Sequence, residues 1–411
     1  MGKIYIPMGD FLKNAGIVGM HYILDEIAEA SENMDYGYTE DNQQLWIDTD
    51  FCQKTNWTDL YFRGITTYYR QNSVYQTILD KIKSLLTALS LPEWDGKKWK
   101  DDIKFINDKL LSNSYKSGIA SIKDEVDTTE AYELLKAVKL KESMEPELLR
   151  ERLVHLHEFL IQPVCAETLS MKSAIYNYIN RFWDGKCFLL RANAAKNMRE
   201  VFENDFSDPF RTYIETDQKK AKEICIDCSA KIDSKTKVSL AFMKDQADDL
   251  ARKQSAFWNC KVDAFLCPVC AFVYALSPLG FYLMGNRFLF INTDQNIQEL
   301  LEANRKDGVM QDAEREDEER YTSWISRTLN LLLKMKTEEL GNIQVITRGR
   351  DESERYTFDI INKNILAILN DEKVRAGLDV LSKYPYIKKG TEYINIHETV
   401  ILNILRYRNQ Y

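Results

Sequence analysis

The chain has 411 residues, with 55 Lys and Arg against 63 Asp and Glu, for a formal net charge of -8. Only 16 residues are Gly and 8 are Pro, whereas 45% are hydrophobic, which excludes collagen-like and Pro-rich disordered proteins. A globular chain of this length has room for about two or three domains. The acidic balance argues against a protein that coats DNA, although it leaves room for a local basic groove.

The start of the chain predicts a short strand followed by a helix. Residues 3–7 form the strand, and Asp10 is a favoured N-cap for a helix that runs to about residue 30. Gly16 and Gly19 lie on one side of this helix, where they would let another element approach closely. The chain opens without the basic segment of a secretory signal peptide and has too few cysteines for a disulfide scaffold, so we expect a cytoplasmic protein.

The rest of the chain alternates between strand-like and helical patterns, and residues 33–62 look strand-rich. Helical periodicity covers residues 66–90, 128–180, 321–336, 363–381 and 397–407, and strands are predicted at residues 288–292 and 343–347. Residues 264–286 contain no charged residue, but two prolines and two glycines interrupt them. We therefore expect a buried core segment and no membrane span there.

Four of the eight cysteines form two C-x-x-C pairs, Cys225 with Cys228 and Cys267 with Cys270. Each pair presents two thiolates from one tight turn, and two turns that face each other form a tetrahedral site suited to Zn²⁺. The 38 residues between the pairs make a long loop. Doubling a loop costs only about 0.6 kcal/mol, against about 10–16 kcal/mol of apparent binding energy for a structural zinc. We predict a structural zinc site, with an iron–sulfur cluster or a thioredoxin-like redox pair as alternatives.

Signs of catalysis are missing from the sequence. Four protein ligands leave no open position for water on a zinc ion. The sequence contains no phosphate-binding or dinucleotide-binding glycine motif, no nucleophile elbow and no zinc-protease helix motif, so we expect no enzyme.

Within the loop between the cysteine pairs, residues 242–258 can form a helix, and we interpret Cys260 as a small buried residue rather than a spare ligand.

Residues 181–199 are the most basic aromatic stretch of the chain, with five basic residues and one acid. Their side chains could line a phosphate-binding face, with Trp183 or Phe188 stacking on bases. The candidate contacts are Arg181, Lys186, Arg191, Asn193, Lys196 and Arg199. The alternative is an ordinary solvated surface over core aromatic residues.

Two shorter stretches add nucleic-acid candidates. Lys97, Lys98 and Lys100 lie beside two tryptophans in a loop that could enter a groove. Arg348 and Arg350 flank a glycine and could lie along a phosphate backbone. A plain surface loop and a simple turn are the alternatives at these two places.

Residues 9–19 (GDFLKNAGIVG), followed far downstream by the paired C-x-x-C turns, resemble the CRISPR-associated CXXC-CXXC protein family. That family is the large subunit of type I-B Cascade effector complexes. The resemblance runs over about residues 3–292. It matches the opening motif of the family to residues 9–19 and its cysteine pairs to Cys225, Cys228, Cys267 and Cys270.

The resemblance implies a non-catalytic subunit of a crRNA-guided complex in antiviral defence. Such a subunit recognises the protospacer-adjacent motif in duplex DNA, aids unwinding and docks a helicase-nuclease. The implied partners are the crRNA, the target double-stranded DNA, the other Cascade subunits, including the backbone and small subunits, and the helicase-nuclease. In such complexes the target sequence is recognised by base pairing with the guide RNA. The acidic net charge of this chain therefore does not contradict the implied function.

The fold we expect is an α+β, helix-rich multidomain protein with an inserted four-cysteine zinc ribbon. The expected domains are residues 1–220, an α+β DNA-recognition candidate, residues 221–275, the zinc ribbon, and residues 276–411, an α/β to helical region. Members of the family usually continue into a C-terminal helical bundle, which we expect to be a separate small subunit here or to be missing by truncation. The rival interpretation is a zinc-stabilised protein–protein adaptor without nucleic acid.

Overall fold

The computed structural model describes residues 2–28, 35–126, 129–244, 263–284, 287–293, 295–305, 343–349, 355–361, 363–384, 386–390 and 392–405. Helices dominate these residues, and the strands form small antiparallel sheets, which confirms the helix-rich α+β class. The helix predicted at residues 321–336, most of the helix predicted at residues 242–258, and Cys260 lie outside the described residues.

The N-terminal part combines a three-stranded sheet with a buried helix. Its elements are β1 (Lys3–Pro7), α1 (Phe11–Tyr22) with a π-helical turn after it (Ile23–Ile27), β2 (Tyr36–Tyr38), β3 (Gln44–Asp48), α2 (Thr49–Lys54) and α3 (Trp57–Tyr68). The strand order is β1-β3-β2. The strand-rich pattern predicted for residues 33–62 is wrong beyond Asp48, because the side chains of Asp48 and Asn56 cap two helices there.

A group of helices follows, with a core of its own. Its elements are α4 (Val74–Ala88), α5 (Lys100–Leu110), α6 (Asn113–Ser121), α7 (Glu130–Ala137), α8 (Pro146–Leu160) and α9 (Pro163–Asn177). Ile82, Ile106 and Leu153 are fully buried where these helices meet. Pro146 and Pro163 open α8 and α9, at a position where the helix backbone has no hydrogen bond to lose.

The middle of the chain carries the cysteine pairs. Its elements are α10 (Met198–Phe202), α11 (Asp208–Glu215), β4 (Glu223–Ile224), β5 (Lys231–Ile232), β6 (Val238–Ser239), β7 (Phe265–Leu266), α12 (Pro268–Ala275) and α13 (Ser277–Gly280). Strand β4 pairs with β5, and β6 pairs with β7. The uncharged stretch that includes α12 and α13 is largely buried, as predicted. Within the described parts of the chain, no helix is both long and apolar enough to cross a membrane.

The C-terminal part contains the largest sheet. Its elements are β8 (Tyr282–Met284), β9 (Arg287–Asn292), α14 (Ile297–Ala303), β10 (Ile343–Arg348), β11 (Tyr356–Ile361), α15 (Lys363–Asn370), α16 (Glu372–Lys383), β12 (Tyr386–Lys389), β13 (Glu392–Asn395) and α17 (Ile396–Leu405). The sheet has the order β11-β10-β9-β8, and β12 and β13 form a separate hairpin. The two strands predicted at residues 288–292 and 343–347 are thereby confirmed.

Buried hydrophobic side chains form three clusters among the described residues. The main cluster joins α1, α3 and the segment from β4 to α13 that carries the cysteine pairs, called the cysteine segment below. It includes Ile17, Trp57 and Phe272. A second cluster fills the helices α4 to α9, and a third lies against the four-stranded sheet. The cysteine segment thus shares its core with the N-terminal helix. The domain boundaries at residues 220 and 275 stay a prediction.

Candidate metal centre

The first C-x-x-C pair lies in the turn between β4 and β5. The N–H of Cys225 donates to the carbonyl oxygen of Ala230 at 2.8 Å, and Ser229 adopts a positive φ of 59° that lets the chain reverse. The N–H of Ile226 donates to the carbonyl oxygen of Phe265 at 2.9 Å. This last hydrogen bond fixes the first turn to the strand that leads into the second.

The second pair lies where β7 passes into α12. Cys267 is the N-cap of α12, and its sulfur accepts a hydrogen bond from the N–H of Cys270 at 3.4 Å. The N–H of Cys267 donates to the sulfur of Cys225 at 3.2 Å. The N-terminal end of a helix carries partial positive charge, which would offset part of the negative charge of metal-bound thiolates here.

The structure brings the four sulfur atoms together, all within 4.8 Å of one another. The sulfurs of Cys228 and Cys267 are 3.6 Å apart, close to the edge of about 3.8 Å in a tetrahedron with zinc–sulfur bonds of about 2.3 Å. Cys228 is partly exposed, and the other three cysteines are buried. The cluster could therefore hold one tetrahedral metal ion through four thiolates.

The four thiols influence one another's acidity because their sulfurs lie so close together. Hydrogen bonds from Cys228, Cys267 and Cys270 lower the pKa of Cys225. Cys267 and Cys270 each share a hydrogen bond with Cys225, and this hydrogen bond raises the pKa of both thiols. Neighbouring thiolates repel one another, so a divalent cation has to offset their charge before all four can ionise.

The opening motif of the chain packs directly on this cluster. The carboxylate of Asp10 caps α1 by accepting the N–H of Lys13 at 2.8 Å, and its other oxygen accepts the hydroxyl of Tyr274 in α12 at 3.3 Å. The ammonium of Lys13 lies 3.0 and 2.9 Å from the two carboxylate oxygens of Asp227, a residue inside the first cysteine turn. The start of α1 therefore contacts the first cysteine turn and helix α12.

Lys13 is buried against the first cysteine turn, with only 1% of its side chain exposed. Burial opposes its charge, but the negative charges of Cys270, Asp227 and Cys228 outweigh burial, so the pKa of Lys13 is raised. We did not predict a role for Lys13 or Asp227 from the sequence. The available signal was a lysine within an apolar helix and an acid inside a cysteine turn.

Asn14 extends the contacts of the opening motif to the C-terminal sheet. Its side-chain oxygen accepts the N–H of Gly9 at 2.9 Å, and its amide group donates to the side-chain oxygen of Asn292 in β9 at 2.8 Å. Asn292 donates in turn to the side chain of Gln344 in β10 at 3.1 Å. One short motif thus joins the cysteine segment and the sheet.

Glycines allow α1 to lie against the α12–α13 segment. A Cβ atom on Gly16 or Gly19 would lie 2.2 or 2.3 Å from a backbone oxygen of that segment, and a Cβ on Gly280 would lie 2.0 Å from the carbonyl oxygen of Ala15. Real Cβ atoms do not come this close to backbone. The close approach predicted for Gly16 and Gly19 is confirmed.

Five of the predicted nucleic-acid contacts are exposed. They are Lys97, Lys98, Lys100, Arg191 and Lys196. The three lysines lie at the start of α5 and in the 3₁₀ turn before it, and the ammonium of Lys100 is 3.8 Å from Glu142. Arg191 opens a 3₁₀ turn (Arg191–Asn193), and Lys196 lies between that turn and α10. These side chains are placed where a nucleic acid could reach them.

Two other candidates form ion pairs within the chain. The guanidinium of Arg199 lies 2.6 Å from Glu167 and 3.1 Å from Asp59, and its hydrogen bond with Glu167 is the main reason that its pKa is raised. The ammonium of Lys186 lies 4.0 Å from Asp205. Both charges therefore already have partners inside the protein.

The remaining described candidates support the fold. Arg181 and Arg348 are buried, and each guanidinium lies over an aromatic ring, 5.2 and 4.5 Å from its centre. The side-chain amide of Asn193 donates to a backbone oxygen of the same irregular segment at 3.0 Å. Arg350 lies outside the described residues.

The aromatic residues of the stretch 181–199 belong to the main core. Phe182, Trp183 and Phe188 are each at most 3% exposed, and the rings of Trp183 and Phe188 lie 5.2 Å apart. Stacking of Trp183 or Phe188 on bases is therefore wrong as an interpretation. The large area that these rings bury in the core explains their placement.

Residues 218–282 match the family model described as CRISPR-associated protein (Cas_CXXC_CXXC). The matched segment contains both cysteine pairs and α12. Neither the comparison with curated proteins nor the comparison with solved structures found a match. The resemblance seen in the sequence is confirmed over the four-cysteine segment, which matches a CRISPR-associated family.

Proposed function

We propose that this chain is the large, non-catalytic subunit of a crRNA-guided type I-B Cascade complex. The observation that carries the proposal is the match of residues 218–282 to a CRISPR-associated family, in a segment whose four sulfurs lie together. The opening motif, the other half of the resemblance, packs on the same segment through Lys13 and two glycines. The two halves therefore form one structural unit.

We further propose Zn²⁺ as the metal, held by Cys225, Cys228, Cys267 and Cys270. The ion would tie the turn between β4 and β5 to the start of α12, and through α12 to α1. With four protein ligands its role is structural. A visible absorption spectrum of the purified protein separates zinc from iron: we expect a colourless protein, and a brown one would favour an iron–sulfur cluster.

In this proposal the subunit recognises the protospacer-adjacent motif in duplex DNA, aids unwinding and docks the helicase-nuclease. The exposed side chains of Lys97, Lys98, Arg191 and Lys196 support contact with phosphate groups. A small group of cations suffices for such contacts, because the guide and the target would lie mainly along the partner subunits.

The test of this function is to express the tagged chain in its native cells, purify it gently and sequence the small RNA that co-purifies. We expect RNAs of uniform length that share a repeat-derived segment. Zinc-loaded protein that repeatedly purifies without such RNA would contradict the proposal.

A second candidate function is a zinc-stabilised protein–protein adaptor without nucleic acid. The observation that favours it is the engagement of Arg181, Arg199 and Arg348 within the protein itself. It predicts the same metal content but no RNA in the purification, and no salt-dependent binding to duplex DNA.

A further inference from the structure

Lys13 and Asp227 form a buried ion pair at the edge of the four-cysteine cluster. The side chain of Lys13 is 1% exposed and that of Asp227 is 12% exposed, and the ammonium lies 2.9 Å from the nearer carboxylate oxygen. Burying a lone charge costs several kcal/mol, so each member of this pair depends on the other and on the charges around them. Asp227 lies between Cys225 and Cys228 in the first cysteine turn, so charges on the cluster act on this pair.

Around this pair, negative charge would exceed positive charge once the site holds a metal ion. Four thiolates and one Zn²⁺ carry a net charge of about -2, and the carboxylate of Asp227 adds about one more negative charge beside them. Cys225, Cys267 and Cys270 are buried, so water screens this charge poorly. Lys13 supplies a positive charge at this place, from a helix that lies far from the cysteines in sequence.

We propose that Lys13 is a positioning residue of the metal centre, whose positive charge makes the four-thiolate ion harder to release and its sulfurs less reactive. The opening motif thereby slows release of the metal ion, in addition to packing against the metal site. The inference rests on the four-cysteine metal site and not on the guide-complex role. The proposed role of Lys13 depends on its positive charge. Removing this charge and removing the negative charge of Asp227 should therefore have opposite effects on the rate of zinc release.

The test uses the zinc-loaded 411-residue chain and three variants: Lys13→Met, Asp227→Asn and the double variant. Zinc release is followed with a chromogenic chelator after addition of iodoacetamide, and mass spectrometry measures alkylation of the four cysteines. Loss of a residue that supports metal ligands typically lowers metal affinity roughly 10–100-fold, and we expect Lys13→Met to release zinc faster by about that factor. Asp227→Asn should release zinc no faster than the unmodified chain, and the double variant should lie between.

Lys172→Met is the matched control. Lys172 is also a buried lysine, 3% exposed, and its ammonium donates to the carbonyl oxygen of Ala194 at 3.2 Å. Its replacement removes a buried ammonium but no charge from the ion pair with Asp227, so zinc release should not change.

Two results would overturn the proposal. The first is zinc release from folded Lys13→Met at the rate of the unmodified chain. The second is acceleration by Asp227→Asn as large as that by Lys13→Met, which would mean that the pair acts only as a mechanical link. If Lys13→Met does not fold, Asp227→Asn decides alone, because charge compensation and a mechanical link predict opposite signs. A chain that binds no zinc at all would instead contradict the metal site.

Discussion

Cys267 combines three roles in one residue. Its sulfur belongs to the four-sulfur cluster, its side chain caps α12, and its N–H donates to the sulfur of Cys225. A metal ion at this place would join two turns that are separated by a long loop. The free energy of zinc binding would then count directly toward the free energy of folding.

We predict that Cys267→Ser loses zinc and lowers the free energy of unfolding by several kcal/mol, since a structural zinc contributes about 10–16 kcal/mol of apparent binding energy. Metal analysis and thermal unfolding of the purified protein measure both effects. Cys165→Ser is the control: Cys165 lies in the separate helical core, where burial raises the pKa of its thiol to about 12, and the variant should keep its zinc. Retained zinc and an unchanged melting transition in Cys267→Ser would refute the structural role.

Helix α1 connects the cysteine segment to the C-terminal sheet. It is buried along nearly its whole length, between the cysteine segment on one side and β9 on another. Its glycines bring its backbone within reach of α12 and α13, so its polar residues can contact the first cysteine turn and the sheet. The spacing of Asp10, Lys13 and Asn14 along one helix turn determines which of these neighbours each side chain meets.

We predict that Gly16→Ala destabilises the protein by at least about 1–3 kcal/mol, because its Cβ would lie 2.2 Å from the backbone oxygen of Val273 and the backbone would have to shift. Denaturant unfolding measures the change. Gly377→Ala is the matched control. Gly377 lies in α16 with nothing within 4 Å of an added Cβ, and alanine should stabilise that helix by about 0.5–1 kcal/mol. Equal effects of the two substitutions would contradict the close packing of α1.

At the scale of the whole molecule, charge is distributed unevenly. The net charge is -8, yet Arg191 and Lys196 lie exposed in one short segment, while Arg199 beside them pairs with two acids. In the proposed function, these two exposed cations on an acidic protein would make a limited contact with a phosphate backbone rather than coat DNA.

We predict that Arg191→Glu combined with Lys196→Glu weakens binding of duplex DNA by the assembled complex. The slope of binding against salt concentration should become shallower by about two, one for each lost phosphate contact. Lys373→Glu with Lys389→Glu changes the formal charge equally at exposed positions of the C-terminal part and should leave the slope unchanged. An unaltered slope in the first pair would exclude these residues from the interface.

Short-range patterns in the sequence determined the local features of this protein. The cap at Asp10, the glycines of α1, the two cysteine turns and the strands of the sheet depend on residues only a few positions apart. The error at residues 49–62 has the same origin, since apolar residues there suit either a strand or a helix, and the caps decide for the helix.

Tertiary structure alone decided which charged side chains form ion pairs and which aromatic side chains are buried. Lys13 meets Asp227 across 214 positions of sequence, and Arg199 meets Asp59 across 140. Trp183 and Phe188 look available in the sequence but lie in the core. Whether a charge is paired or a ring is buried depends on what the whole chain packs around it, and a burial cost of several kcal/mol makes that environment decisive. No local pattern encodes it.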